Sequence, residues 1–578
     1  MEFIHSNLAG VARQTLAPPQ GAPETINLSQ GQIFSPALSR PSLDAIAAAP
    51  ALLNDLESDL SLISFNPQRD ELTLIRDAVG ATPLFYAFNR DGSLASAFSL
   101  PALFPLLDWV PTYDEETLFD FLATHYRYIF REPTRSFYKG VFQVPAGHFL
   151  RFLDGKAELQ KWLRLPHDPQ AALLSAEEAG TLYLERLREN VRLRLDSLAE
   201  SAVAFTVSSG LDSSTVASLA GGFLGKPLDA YYMAYRSSKG TPYDETEGVL
   251  ALTRAKGWKL TRLDLEAPDL LKDASALMEI TLAPVATVTW LAHFKLAQRI
   301  RGDGFDRYFS GLGGDESLAG EFEHFFLFFA DLFREGQSEL LEKETQAWSR
   351  LHDHPVFRKN SAVRDSYFAR NINFTQGAIK TDLTRYEQNL DYFHPDWARA
   401  FRDRPSPPMP TPYRAFLSNR LYQEMSYETS PPTMWSEALS SQAAGIKGLF
   451  PMASPWLFSF ALSLPGTVKY RDGLTKWPLR LATRGILPET TRLNPVKTGF
   501  NAPLDLFLRE KKVADEVFDL LLSSELPRLG WITPASLHRV KDEHLSETRD
   551  HMSLVWPLLS AALFLEKLKR RAASPPLP

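Results

Sequence analysis

The chain has 578 residues, of which 44% are hydrophobic and 23% are charged, the balance of a folded globular protein too long for one ordinary core. Its formal net charge of -7 and its scattered Lys and Arg residues provide no basic face, so we expect no nucleic-acid partner. The sequence contains no Cys, which excludes disulfides, thiolate metal sites and a cysteine nucleophile.

The first residues, MEFIHSNLAGVARQTLAPP, lack the basic and then apolar order of a secretory signal. No window approaches the roughly 18 uninterrupted apolar residues of a membrane span. We therefore expect a cytoplasmic protein that has no membrane partner.

Short β-type runs dominate residues 1–165. The runs LSLISF, LTLIRD, PLFYAF and GHFLRFL are separated by Gly, Pro and Asn or Asp, which predicts a β-rich first domain. A polar, Pro-containing passage follows, and Ser175 with the acidic residues after it marks the start of a helix. We place the second domain at residues 175–578.

From residue 180 onward, amphipathic helical segments alternate with apolar strands such as SAVAFTV, LDAYYMAY and FDRYFS. Such alternation predicts an α/β fold with a doubly wound parallel sheet. Residues of about 320–440 are mostly helical in pattern and rich in aromatic side chains, and we treat them as an insert. Within the insert, FEHFFLFFADLF fits either a groove for a partner or a buried amphipathic helix.

The stretch VSSGLDSSTVAS, residues 207–218, combines hydroxyl side chains with one Gly and one Asp. A strand that ends at Val207, a turn of small residues and a helix that begins near Asp212 would direct backbone N–H groups and a positive helix end at one spot. The pattern predicts an anion site, although an ordinary turn with a Ser cap would also fit. No GK[ST] sequence follows, which excludes a Walker-type loop.

Three motifs, in this order, resemble those of the asparagine-synthetase-type ATP pyrophosphatases. SSGLDSS resembles the SGGxDS pyrophosphate loop, SGLGGDE (residues 310–316) the second acidic loop, and KTGFNAP (residues 497–503) the lysine segment. The resemblance covers nearly the whole chain and implies a sheet of the PP-loop type. It also implies an enzyme that transfers AMP from ATP to a carboxylate, releases pyrophosphate and lets an amine displace AMP.

The same resemblance assigns roles to residues. Asp212 and Asp315 would hold Mg²⁺ and act in catalysis, and Lys497 would stabilise charge at the α-phosphate or the developing oxyanion. A lone Lys in such a turn is otherwise more often a solvated surface residue. The nucleotide would contact Ser208, Ser209, Gly210, Leu211, Asp212, Ser213, Ser214, Gly311, Gly313 and Gly314.

The first domain resembles the Ntn-type glutaminase domain of the same family through RDAVGATPLFY, LASAFSL and FYKGVFQVPAGHFLR. Glutamine-hydrolysing members need Cys directly after the initiator Met, whereas this chain has Glu2 there and no Cys anywhere. We therefore predict a degenerate domain that keeps the glutaminase fold without its activity.

Further departures concern the amine that accepts the acyl group. Leu312 stands where asparagine synthetases have Glu and β-lactam synthetases have Tyr, so neither family base is present. A peptide α-amine, with a pKa of about 7.7–8.0, is partly unprotonated near neutrality and needs less help from a base. Lys447, Leu449 and Ser454 replace charged positions of the family, which fits either a rebuilt acceptor pocket or the loss of a structural ion network.

Among relatives without a working glutaminase, the chain most resembles lasso peptide macrolactam synthetases of the microcin J25 type. The resemblance implies that it adenylates an Asp or Glu side chain of a precursor peptide, whose N-terminal amine then closes an isopeptide ring. A leader-binding protein and a leader peptidase would be its partners. A small-molecule amide or β-lactam synthetase and a non-catalytic scaffold stay open as alternatives, and the sequence leaves the peptide and the ring size undetermined.

Overall fold

The fold is described by a computed structural model that covers residues 25–34, 40–125, 132–198, 202–241, 244–353, 358–379, 388–405, 409–496 and 502–573, together with the backbone of two strands near the N-terminus. Within these residues, no helix combines the length and the apolar character that a membrane crossing requires.

Within the described residues, the N-terminal part consists of antiparallel sheets and three α-helices. Its strands are β1 (Glu2–Asn7), β2 (Gly10–Thr15), β3 (Ile26–Gln30), β4 (Ser61–Asn66), β5 (Glu71–Ile75), β6 (Phe85–Phe88), β7 (Leu94–Ala97), β8 (Val141–Gln143), β9 (His148–Leu153) and β10 (Lys156–Lys161). Its helices are α1 (Leu43–Ala48), α2 (Leu100–Leu103) and α3 (Glu115–Thr124). One sheet has the order β10-β9-β5-β4-β3, a second has the order β7-β6-β8, and β1 pairs with β2.

The two larger sheets share an apolar core. Ile63, Phe65 and Leu74 of the first sheet belong to the same buried cluster as Tyr86 of the second. In β4 and β5 the register sets Ile63 opposite Leu74 and Phe65 opposite Leu72, so these two apolar pairs lie on one face of the sheet and belong to the shared cluster. The four quoted β-type runs therefore all contribute strands to this region.

The second part is built on a parallel five-stranded sheet. Its strands are β11 (Val203–Thr206), β12 (Asp229–Tyr235), β13 (Lys259–Leu265), β14 (Arg307–Phe309) and β17 (Lys447–Leu449), and the short pair β15 (Ile372–Asn373) and β16 (Ala378–Ile379) lies apart from it. The order is β13-β12-β11-β14-β17, and all its pairings are parallel. The direction of strand addition reverses between β11 and β14, and in open α/β sheets ligands bind beside the carboxyl ends of the strands at such a point.

The helices of the second part surround this sheet and extend beyond it. Those up to the second acidic loop are α4 (Ala176–Asp196), α5 (Leu211–Leu224), α6 (Thr246–Lys256), α7 (Leu270–Thr281), α8 (Val288–Gly302) and α9 (Gly314–Leu318). Those of the predicted insert are α10 (His324–Arg334), α11 (Ser338–His352), α12 (Ser361–Asn371), α13 (Pro395–Asp403), α14 (Phe416–Gln423) and α15 (Ser430–Ala443), with a π-helical turn at Glu424–Glu428.

The remaining helices follow β17. They are α16 (Pro455–Ser463), α17 (Gly466–Lys469), α18 (Trp477–Ala482), α19 (Glu489–Arg492), α20 (Leu504–Phe507), α21 (Lys511–Ser523), α22 (Glu525–Arg528), α23 (Pro534–Leu545) and α24 (Met552–Ala573). The structure is thus the mixed α/β fold with a parallel sheet that the sequence predicts.

The segment FEHFFLFFADLF, residues 322–333, forms most of helix α10 and includes the two residues before it. Residues 324–332 are all buried, and Phe326 stacks on Tyr367 of α12 with 4.3 Å between ring centroids. Phe322 and Phe333, at the two ends of the segment, keep 40% and 55% of their surface exposed. The segment is therefore mostly a buried helix, and Phe322, Glu323 and Phe326 at its N-terminal end also line a cavity.

Polar contacts join the N-terminal sheets to the parallel-sheet region. Glu57 is 3% exposed; it accepts a hydrogen bond of 2.6 Å from the Ser454 hydroxyl and lies 3.7 Å from the Arg194 guanidinium. Lys447 forms an ion pair of 2.7 Å with Asp59, and Leu449 is buried in the core beneath the parallel sheet. Lys447, Leu449 and Ser454 therefore contribute to the packing of the protein, which favours the structural interpretation of these positions over a rebuilt acceptor pocket.

Candidate functional site

Two loops meet where the parallel sheet reverses its order. The first connects β11 to α5, whose N-cap is Gly210 and whose first turn receives no capping hydrogen bond from a side chain. The second connects β14 to α9, whose N-cap Gly313 has φ +94°. Because β11 and β14 are neighbours, both helix starts face one place.

The hydroxyl groups of the first loop fall into two sets. Ser208 and Ser213 line the cavity described below, and their hydroxyls lie 2.9 Å apart. Ser214 is fully buried and donates to the Gly210 carbonyl at 2.6 Å, so its hydroxyl stabilises the helix start and does not face the cavity. Gly210 and Leu211 also line the cavity.

Ser209, which stands where the SGGxDS loop has Gly, is also turned away from the cavity. Its hydroxyl donates to Glu245 at 2.7 Å. Its Cβ lies 2.6 Å from where a Cβ on Gly248 would be, so the extra side chain fits because residue 248 is glycine. Ser209 thus tethers the loop to the start of α6.

Asp212 and Asp315 come together, and a lysine that the sequence analysis did not single out lies between them. The Lys476 ammonium contacts the Asp212 carboxylate and lies 2.7 Å from Oδ1 of Asp315. Lys476 precedes α18, its side chain is 6% exposed, and its backbone has φ +54°. A buried cation therefore bridges the two predicted metal ligands.

The glycines of the second loop allow this close packing. A Cβ on Gly311 would lie 2.4 Å from the backbone N of Ser213, and one on Gly314 would lie 2.4 Å from Cγ of Asp212. At Gly313 both the positive φ and a backbone atom of Ala453 at 2.7 Å oppose a side chain. These glycines thus set the distance between the loops. Gly311 and Gly313 also line the cavity, and contact of the three glycines with the nucleotide stays a prediction.

The two loops form one end of a cavity of about 790 Å³. That volume lies in the upper part of the range of roughly 300–1,000 Å³ for sites of drug-sized ligands. The cavity continues to the contact between the two parts of the chain, where it is lined by His125, Trp290, His293, Glu437 and Trp556. His125 comes from the N-terminal part, so both parts form the wall. We call the two regions the loop end and the interface end.

Acidic side chains dominate the described part of this wall. Among the described lining residues, the Lys and Arg side chains are Lys476 and Arg480 and the histidines are His125 and His293. The acidic ones are Asp212, Glu245, Asp315, Glu316, Glu321, Glu323, Glu424 and Glu437. Burial, followed by the charge of Asp315, raises the pKa of Glu316 to about 8, so that carboxyl is largely protonated at neutral pH. A polyanion would enter this cavity only with cations that balance the wall.

The sequence also singled out Leu312 and Lys497. Leu312 lines the cavity as an apolar side chain beside the loop end. Lys497 lies outside the described residues, although Val496 before it and Ala502 after it both line the cavity. Its role stays a prediction.

Comparisons with known proteins agree with the motifs. A family model described as Asparagine synthase matches residues 182–566, and one described as Glutamine amidotransferase domain matches residues 47–163. A Penicillium rubens protein named Amidase chyE is 27% identical over 318 residues, which are 52% of this chain and 44% of that protein.

A Mycobacterium bovis protein that carries the name asparagine synthetase (glutamine-hydrolyzing) is 30% identical over 109 residues, which are 19% of this chain and 16% of that protein. A Mycobacterium tuberculosis protein of the same name has the same identity and coverage. The matched segments span less than half the length of these curated relatives.

Proposed function

The chain belongs to the asparagine synthase family, and on that premise we propose that it is an ATP-dependent carbon–nitrogen ligase that cyclises a peptide. It adenylates an Asp or Glu side chain of a precursor peptide, and the peptide's own N-terminal amine closes an isopeptide macrolactam, as in lasso peptide biosynthesis. AMP and pyrophosphate are the other products. The parallel sheet is then of the PP-loop type, and the N-terminal part is a degenerate Ntn-type domain.

One observation carries the proposal: a single cavity connects the two loops with the contact between the two parts of the chain. The 578 residues contain no Cys, so hydrolysis of glutamine by a cysteine thiolate is not available to supply ammonia within them. In this proposal the amine therefore enters the cavity as part of the substrate. The interface end, with Trp290 and Trp556 in its wall, supplies space and apolar surface for a peptide segment beside the nucleotide.

The residues at the loop end fit a divalent cation. Asp212 and Asp315 already hold a positive charge between them, in the form of the Lys476 ammonium. No group of three His, Asp or Glu side chains that suits a metal occurs in the described residues, so two carboxylates would bind Mg²⁺ and phosphate oxygens would complete its ligands. When bound, Mg²⁺ would neutralise charge on the triphosphate. The acidic wall makes such neutralisation a requirement for binding ATP.

The chain's own groups would orient the nucleotide. The Ser208 and Ser213 hydroxyls and the uncapped first turn of α5 would donate hydrogen bonds to phosphate oxygens, and Lys476 would balance charge beside them. The same cavity would hold the peptide carboxylate near the α-phosphate. A leader-binding protein and a leader peptidase are the partners we propose, because the amine must be free before the ring closes.

Gly320 offers a test of the loop end. A Cβ at this position would lie 2.2 Å from both Asp315 Oδ1 and Lys476 Cε, which are mobile side-chain atoms that can shift. We expect Gly320→Ala to displace the ion pair, to lower AMP formation by roughly 10- to 100-fold and to leave the protein folded. ATP-dependent AMP release and the melting temperature are the measurements.

A matched control is Gly222→Ala in the exposed interior of α5, where a Cβ meets no atom within 4 Å. This change is expected to add about 0.5–1 kcal/mol of stability and to leave AMP formation unchanged. Equal activity of the two variants would contradict the geometry assigned to the loop end.

A small-molecule amide ligase is the second candidate, and it is favoured by the similarity to a protein named an amidase. A non-catalytic scaffold is less well supported, because Asp212 and Asp315 meet at the end of a cavity that remains open.

The reaction itself separates these functions. With Mg-ATP and a leaderless precursor peptide that has a free N-terminus, we expect AMP, pyrophosphate and a product lighter by one water. Acetylation of the α-amine removes the nucleophile but keeps the carboxylate, so pyrophosphate release is expected to persist while ring closure stops. Mass spectrometry and nucleotide chromatography report both results.

Three outcomes would refute the cyclase: a primary amide formed from glutamine or ammonia, ADP in place of AMP, or a cognate peptide of unchanged mass while ATP is bound. Turnover of a free amino acid in place of the peptide would support the small-molecule ligase.

A further inference from the structure

A carboxylate, a phenol and an imidazole from three different elements meet at the wall of the cavity. Glu437 of α15 is 1% exposed, and both of its oxygens are engaged. Oε1 accepts a hydrogen bond from the Tyr308 hydroxyl on β14, and Oε2 lies 2.5 Å from Nδ1 of His293 on α8. All three residues line the cavity.

The contacts define which atoms carry protons. Burial, together with the adjacent Glu437 charge, raises the pKa of Tyr308 well above its usual value, so the phenol remains a donor. Glu437 is thereby held as the acceptor for Nδ1–H of His293. In the neutral imidazole, a proton on Nδ1 makes Nε2 the basic nitrogen.

One member of the cluster, Tyr308, lies close in sequence to Leu312, the position at which the family's base is missing. Tyr308 lies on the strand that leads directly to Ser310 and Leu312, and Leu312 has no group that can accept a proton. His293 lines the cavity with 11% of its side chain exposed, while its Nε2 is covered in this structure, and the ring packs against Trp290 with 4.8 Å between ring centroids. Histidine is also the side chain that most often acts as a general base in enzymes.

Resting on the proposed function, we infer that His293 is the base that accepts the proton of the attacking amine, and that Glu437 and Tyr308 position it. In this step the amine nitrogen forms a bond to the acyl carbon, and the bond between that carbon and the AMP oxygen breaks. AMP leaves with the electron pair of the broken bond. The proton lost by nitrogen passes to His293, and the Glu437 carboxylate stabilises the resulting imidazolium.

The test separates acyl activation from ring closure. His293→Asn keeps a donor near the position of Nδ1 for Glu437 but removes the basic nitrogen. We expect it to lower ring closure by about 10²- to 10⁴-fold, the usual contribution of general base catalysis. Peptide-dependent exchange of pyrophosphate into ATP is expected to stay within about threefold of the wild-type rate, because activation of the carboxylate needs no base.

An external nucleophile provides a chemical bypass. Hydroxylamine is unprotonated near neutral pH, so it should capture the acyl adenylate as a hydroxamate at similar rates in the wild-type and His293→Asn proteins.

Tyr308→Phe loosens Glu437 without removing the base, and a smaller loss of ring closure with unchanged exchange is expected. The matched control is His352→Asn, since His352 bonds the backbone carbonyl of Gly473 and lies outside the described lining of the cavity.

The outcomes separate a failure of this inference from a failure of the proposed function. If the wild-type protein shows no peptide-dependent exchange and no ring, the proposed function fails. If the wild type cyclises and His293→Asn cyclises within threefold of it, the inference fails while the function stands. A parallel loss of exchange, hydroxamate formation and ring closure would make His293 a structural residue and would also overturn the inference.

Discussion

Replacing Asp315 or Asp212 by Asn is expected to reduce AMP formation by about 10³-fold or more while the chain keeps its fold. Asn preserves the size of the side chain and one oxygen ligand but removes the negative charge that attracts a divalent cation. Each tenfold loss corresponds to about 1.4 kcal/mol of activation free energy, so the expected cost is about 4 kcal/mol. The measurements are AMP release and, for folding, circular dichroism.

A matched control uses a carboxylate and lysine pair outside the cavity. Asp273 lies 3.0 Å from Lys295, and its side chain is 9% exposed, against 17% for Asp212 and 29% for Asp315. Asp273→Asn therefore removes a charge that is more deeply buried than either cavity carboxylate and is likewise paired with a lysine. It is expected to affect stability without changing AMP release. Near-normal AMP release by both cavity variants would remove the assignment of the ATP site.

The resemblance of two motifs to those of a known family implied that Asp212 and Asp315 meet, and the sequence pattern placed each of them after a predicted strand. Strand ends of neighbouring parallel strands meet at one edge, and periodicity and turn residues suffice to find those strands. The same local signals located β4, β5, β6 and β9 in the N-terminal part. Sequence patterns that span about ten residues are therefore enough to locate these strands.

Contacts between distant segments could not be predicted in this way. Lys476 is 161 residues from Asp315, and nothing in the local sequence LTKWPLR distinguishes a lysine that enters a cavity from one at the surface. Only the folded structure distinguishes Lys476, because its backbone φ of +54° is unusual for a residue other than glycine. The Tyr308–Glu437–His293 cluster likewise joins distant segments, because Glu437 is over 120 residues from both Tyr308 and His293 along the chain.

The serines of the first loop show a different limit. The motif marks Ser208, Ser209, Ser213 and Ser214 equally, and only packing separates the two that line the cavity from the two that do not. Ser214 donates to a carbonyl four residues earlier, an option open to any Ser in a helix.

Lys476→Met is expected to lower AMP formation by at least about 10²-fold and to make the protein sensitive to free Mg²⁺. Met is unbranched and similar in length, so the change removes the ammonium with little change in volume. Asp212 and Asp315 then face each other without the cation that now separates them. A divalent cation can take that place, and binding to the folded state alone stabilises it by about 2.7 kcal/mol at 100 times its dissociation constant.

The measurement is the melting temperature with and without Mg²⁺ in the absence of ATP. We expect Mg²⁺ to raise it in Lys476→Met clearly more than in the wild type, where the ammonium competes for the same two carboxylates. Lys295→Met is the matched control, because its partner Asp273 is a single carboxylate that offers no bridging site in its contact with Lys295. An equal response to Mg²⁺ in the wild-type and Lys476→Met proteins would mean that the ammonium does not occupy the metal position, and a near-normal rate of AMP formation would show that its charge is not needed for the reaction.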